Sequence, residues 1–175
     1  YDRFLTEHNS LFVAAVASTD EPAGKELVLG GQLGYSRLLY KSEKHELAGE
    51  AGLDYSREKL ITGDPLSIIS ARLFVGYKGT LSDTTNADAS AEALMNLNEL
   101  DTPTGTASLG QDTRVNGKLG ITSKLTASLS INTGLELKFD NKPAPLKISN
   151  LAAGFVPESS KLDTIMKASL IYSFF

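Results

Sequence analysis

His8, Asn9 and Ser10 set a potential base two residues from a potential nucleophile, a spacing that hydrolytic chemistry could use. Such a pair needs a third residue to orient the histidine, and no Asn or Asp nearby is placed to do so. The pair lies in a short polar segment between apolar stretches, which reads as a solvated turn. His45 stands without the further ligands that a metal site requires. Gly30, Gly31 and Gly34, like Gly49 and Gly52, precede no helix-forming segment, so they are not phosphate loops. Asp20, Glu21, Asp64, Glu99 and Asp101 fall in predicted loops, but their spacing matches no calcium-binding loop. With no cysteine in 175 residues, disulfides, Cys-based zinc sites and thiol nucleophiles drop out together. No enzyme activity and no cofactor is expected.

What remains is electrostatic. Glu50, Asp54, Asp88, Glu92 and Glu136 carry negative charge at alternate positions of apolar segments, and Arg72, Lys78, Arg114, Lys118, Lys138 and Lys167 carry positive charge in the same way. The two sets nearly cancel, which predicts cross-strand ion pairs rather than a selectivity ring of one sign. The formal charge of −4, with Lys and Arg scattered along the chain, gives no nucleic-acid footprint.

Those charges must be positioned by strands. Over residues 127–139 the odd positions Ala127, Leu129, Ile131, Thr133, Leu135, Leu137 and Phe139 alternate with Ser128, Ser130, Asn132, Gly134, Glu136 and Lys138. That is period two with no helical competitor. The same alternation marks 47–56 and 114–121, and weaker forms cover 10–18, 26–40, 66–81, 87–98 and 163–175. Residues 91–100 have helix-forming composition, but the alternation favours a strand there. Eight strands result, with a stub at 1–5.

Connections at 6–9, 41–44, 82–86 and 123–124 are short, whereas those at 19–25, 58–65, 99–112 and 140–162 are longer and hold all six prolines. Short turns at one end and long loops at the other are the habit of a transmembrane barrel. No run approaches the ~18 apolar residues of a helical span, and the mean hydropathy of −0.10 averages over the two faces. At ~3.3 Å per residue the 127–139 strand would be ~43 Å long, and a ~40° tilt projects that to ~33 Å, enough for a bilayer core. Tyr1, Phe4, Phe12, Tyr40, Tyr77, Tyr172 and Phe174 lie near the short-turn ends, where an interfacial girdle belongs. The expected fold is all-β, an antiparallel up-and-down transmembrane β-barrel forming one domain over 1–175, with the charges inside and the apolar face in lipid.

Tyr1 to Leu5, Ser10-Leu11-Phe12, and Leu29 to Tyr35 resemble the salt-induced outer-membrane proteins (YdiY-like barrels). So do Glu50 to Tyr55, Asp163-Thr164 and Ser169 to Phe174. The likeness spans nearly the whole chain on short, mostly structural motifs. It implies a bacterial outer-membrane location, contact with outer-membrane lipids and lipopolysaccharide, and insertion by the barrel-assembly machinery. Members open on a Trp-rich strand and a Gly-Asn-Thr-type turn, neither found here, so about four further strands are expected upstream, giving twelve. They end on one lipid-phase aromatic, matched by Phe174, with Phe175 one residue beyond. The family brings no established activity. The functional expectation is a structural or surface-interaction barrel with a largely side-chain-filled lumen. The alternatives are a narrow porin-like channel for small solutes or ions in osmotic adaptation, and a soluble lipocalin-like barrel.

Overall fold

The computed structural model describes residues 1–21, 24–61, 64–102, 105–143 and 160–174. In chain order the strands are β1 (Asp2–Phe4), β2 (Asn9–Asp20), β3 (Lys25–Lys41), β4 (His45–Leu60), β5 (Leu66–Ser82), β6 (Thr85–Asn96), β7 (Leu100–Thr102), β8 (Gly105–Ala107), β9 (Thr113–Lys124), β10 (Leu129–Asp140) and β11 (Leu162–Tyr172). Nine of them make one antiparallel sheet in the order β1-β2-β3-β4-β5-β6-β9-β10-β11, while β7 and β8 pair only with each other. The stub expected at the start is thus a ninth strand of the sheet.

The sheet is strongly curled. Lys138 Nζ on β10 lies 2.8 Å from Asp20 Oδ2 on β2, although five strands separate the two in sheet order. In a flat sheet six inter-strand spacings would hold them ~29 Å apart. Lys25 on β3 likewise comes within 3.6 Å of Asp140 at the end of β10. Strands β1 and β11 form the two edges.

Several boundaries differ from the sequence expectation. Strand β10 begins at Leu129, because Thr126 Oγ1 accepts from the Ser128 and Leu129 amides and holds 125–128 in a turn. Strand β4 runs on to Leu60, so Glu58 belongs to the sheet and not to a loop. Residues 91–96 are strand, the last part of β6. The contrast in connection length is also weaker than expected: 21–24 is no longer than 5–8, and the asymmetry rests on 97–112 and 141–161. Pro65 and Pro143 lie in connections. Pro22, Pro103, Pro145 and Pro157, with Phe155 and Phe175, fall outside the described residues.

Burial is inverted relative to a water-soluble domain. Buried apolar side chains among the described residues are confined to Phe12, Leu60, Ile68, Leu100 and Ala107, whereas Asp54, Glu58, Arg72, Asn96 and Asp112 are buried polar groups. Leu33, Leu73, Leu119 and Leu170 stand on the convex face, 57%, 62%, 48% and 70% exposed. The small apolar cluster of Ile68, Leu100 and Ala107, joined by Leu66, holds the β7–β8 hairpin against the inward side of β5.

Candidate functional site

Directly opposed residues of an antiparallel ladder share a face, so the register arranges the concave side in cross-strand rows. One row is Phe12, Gly34, Gly52, Arg72, Leu94, Arg114 and Asp140. The next, toward the 42–44 turn, is Ser10, Ser36, Glu50, Phe74, Glu92, Asn116, Lys138 and Asp163. Charges meet there because every second residue of neighbouring strands points inward.

Arg72 is the centre of the first row. Its Nε donates to Glu92 Oε1 at 2.6 Å and its Nη1 to Glu50 Oε2 at 2.7 Å. Its guanidinium carbon lies 5.4 Å from the Phe12 ring centre and 5.1 Å from that of Phe74, within cation–π range of both. Glu92 Oε2 accepts a further bond from Asn116 at 3.1 Å. Gly34 and Gly52 stand between Phe12 and Arg72 in the row, and their missing side chains leave the trough in which the Phe12 ring lies. A Cβ on Gly34 would come within 2.9 Å of Phe12 Cε1 and 2.5 Å of the Ala51 carbonyl oxygen.

A second cluster closes the long-loop end. Arg114 pairs with Glu58, with Asp112 at 2.9 Å and with Asp140 at 3.5 Å, while Lys25 lies 3.2 Å from Glu58. Burial pushes the Asp112 carboxyl above its ordinary range, even against the neighbouring Arg114. Asn96 is wholly buried and organises the segment above this cluster. Its Nδ2 donates to the carbonyls of Asn98 and Ser108, and its Oδ1 accepts from the Asp112 amide at 2.9 Å. The 97–112 connection thereby folds inward as a pinned hairpin.

The remaining charged positions divide. Glu136 pairs with Lys167 at 2.7 Å, and Lys138 with Asp20. Asp54 accepts from Gln32 Nε2 at 2.9 Å and, among the described residues, meets no cation within 4 Å. Lys78, opposite Asp88, and Lys118, opposite Glu136, share the concave face by register. Neither lysine makes a salt bridge within 4 Å among the described residues. Lys25, Glu58, Asp112, Asp140 and Phe74 belong to the site but were not singled out from sequence. Glu58 and Asp140 continue the inward parity of Asp54 and Glu136, a signal that assigning them to loops concealed.

Two of the expected girdle aromatics, Phe12 and Phe4, face inward instead. Phe12 is 8% exposed on the charged face, under Arg72. Phe4 pairs with Ser10 and so shares that inward phase. The reason is that β2 is apolar on both faces over residues 11–16, with Leu11 and Val13 opposite in phase to Phe12 and Ala14, so no polar residue labels the inner side of that stretch. Tyr40 and Tyr77 both pair with Leu47 on the convex face. Tyr1 exchanges backbone hydrogen bonds with Val13, which points the same way. Tyr172 and Phe174 pack edge to face at 4.9 Å. The Tyr77 hydroxyl meets His45 Nδ1 at 2.8 Å. His8 sits exposed in the 5–8 turn while Ser10 points inward from β2, so the structure does not join them as a base and nucleophile.

The family model described as "Protein of unknown function, DUF481" matches residues 1–174. No curated protein matches the chain.

Proposed function

The chain belongs to the DUF481 family of proteins of unknown function, and from that membership and its two-sided sheet we propose that it is a transmembrane β-barrel of the bacterial outer membrane. In this reading it is of the salt-induced, YdiY-like kind. Its role is structural, its long loops meet lipopolysaccharide or partners at the surface, and its lumen is blocked by side chains. The barrel-assembly machinery inserts it, and no chemistry is assigned to it.

Inverted burial supports the membrane location. The outward positions of β10 from Leu129 to Phe139 are all apolar or Thr. Ten steps at ~3.3 Å and a ~40° tilt make a band ~25 Å tall, the height of an outer-membrane barrel's apolar belt. On β4 the outward charges Arg57 and Lys59 appear only beyond Tyr55, at the long-loop end. A lipocalin-like barrel would have the opposite faces, with its apolar residues lining the interior. In a bilayer the edges β1 and β11 must find backbone partners, since an unpaired edge in lipid leaves its N–H and C=O groups unsatisfied.

The observation that carries the blocked lumen is Arg72, held between two rings and two carboxylates in the middle of the concave face. Conductance in planar bilayers tests it. The parent protein is expected to show no stable unitary steps, and Arg72→Ala combined with Phe12→Ala is expected to produce them. Stable steps from the parent would replace this reading with the narrow solute or ion channel.

A further inference from the structure

Asp54 is a buried carboxylate on the concave face that makes no salt bridge within 4 Å among the described residues; Arg72 and Arg114 act on it only from farther away. Only 8% exposed, it accepts one hydrogen bond, from Gln32, on Oδ1, and among the described residues no donor reaches its other oxygen. The other two buried acids, Glu58 and Asp112, are both held by Arg114. Asp54 borders a cavity of about 620 Å³ on the concave side, whose wall also includes Glu58, Glu92 and Arg114. Ser56, Ser70 and Asn116 add neutral polar groups to its wall, and Lys118 reaches the same cavity from β9 without a salt bridge. A desolvated carboxylate with no directly paired cation is costly, and an ammonium group entering the cavity would supply both a contacting charge and the missing donor.

We propose that this vestibule binds small zwitterions, with the ammonium end on Asp54 and Gln32 and the carboxylate end on Lys118. The volume accommodates a molecule of amino-acid size together with some of its water. The inference depends on the curl of the sheet and the residues on its inner wall, not on the membrane location, so either can fail without the other.

The probes are γ-aminobutyrate, n-butylamine and butyrate, titrated into the folded chain in detergent micelles and followed by saturation-transfer NMR and calorimetry. γ-Aminobutyrate should bind saturably, with n-butylamine weaker by about tenfold. Asp54→Asn should weaken both amines by about tenfold or more. Lys118→Met, at an exposed position, should bring γ-aminobutyrate down to the n-butylamine level and leave n-butylamine itself unchanged. The proposal is overturned if γ-aminobutyrate shows no saturable binding to the folded parent. It is equally overturned if butyrate binds as tightly as γ-aminobutyrate, or if Lys118→Met weakens both amines alike.

Discussion

The guanidinium of Arg72 lies 5.4 Å from the ring centre of Phe12, across two strands whose intervening residues in that row are both glycine. A cation on β5 and a ring on β2 meet because Gly34 and Gly52 leave nothing between them. Arg72→Ala removes the cation that pairs with both Glu50 and Glu92, leaving Glu92 with only its bond from Asn116. The expected loss is about 3–5 kcal/mol, the cost of breaking a buried pair from one side. Urea unfolding in detergent measures it. Adding Glu50→Gln and Glu92→Gln to Arg72→Ala should recover part of that loss, because the uncompensated charges go with it.

Gly34 and Gly117 give a matched pair of substitutions. A Cβ at Gly34 meets a backbone oxygen at 2.5 Å, whereas at Gly117 the nearest atom is Leu137 Cβ at an ordinary 3.7 Å. Gly34→Ala is expected to cost about 1–3 kcal/mol through overpacking. Gly117→Ala should be neutral or slightly stabilising, since alanine orders the unfolded chain at little native cost. Equal effects at the two positions would refute the trough.

How much of this was legible in the sequence follows from which faces differ in polarity. Strand β10 declares itself, since each apolar residue from Leu129 to Leu137 is followed by a polar one or Gly. Strand β2 does not: with Leu11, Phe12, Val13, Ala14, Ala15 and Val16 in succession, either phase is consistent with composition, and Phe12 lies on the face opposite to the expected one. The Arg72 pairs with Glu50 and Glu92 join neighbouring strands, and alternation alone foreshadows them. Lys138 with Asp20 and Arg114 with Glu58 join strands far apart in the chain, and only the curl of the sheet brings them together. The β7–β8 hairpin was hidden because three-residue strands in a polar segment leave no periodic trace.

Asn96 pins the inward-folded hairpin through three hydrogen bonds from one side chain. Asn96→Ala should leave two carbonyls and one amide without partners at a buried site and cost about 1–3 kcal/mol. The local consequence is sharper than the global one: limited proteolysis within 97–112 should accelerate while the rest of the sheet stays resistant. Uniform cleavage across the chain would show that the hairpin is not a separate unit.

Asp112 supplies a pH signature. Burial raises its carboxyl above the ordinary value, so ionising it costs more in the folded chain than in the unfolded one. Its contribution to stability is therefore greatest below the ordinary carboxylate range and shrinks as pH rises through the raised value. Asp112→Asn abolishes that slope. Relative to the parent, the variant should gain stability between about pH 4 and pH 7. A relative loss over the same interval, read from unfolding midpoints, would mean that the pairing with Arg114 outweighs burial.

The central claim is that lipid covers the convex face and protein the concave one, and the absence of native cysteine makes it directly measurable. Single cysteines at Leu33, Leu73 and Leu119 on one face, and at Ser56 and Ser90 on the other, can each carry a nitroxide label in the membrane-inserted protein. Collision rates with oxygen and with a water-soluble nickel chelate then report the solvent around each label. High oxygen and low nickel collision are expected at the three leucine positions, with neither pattern at the serine positions. High nickel collision at Leu33, Leu73 and Leu119 would place that face in water and contradict it.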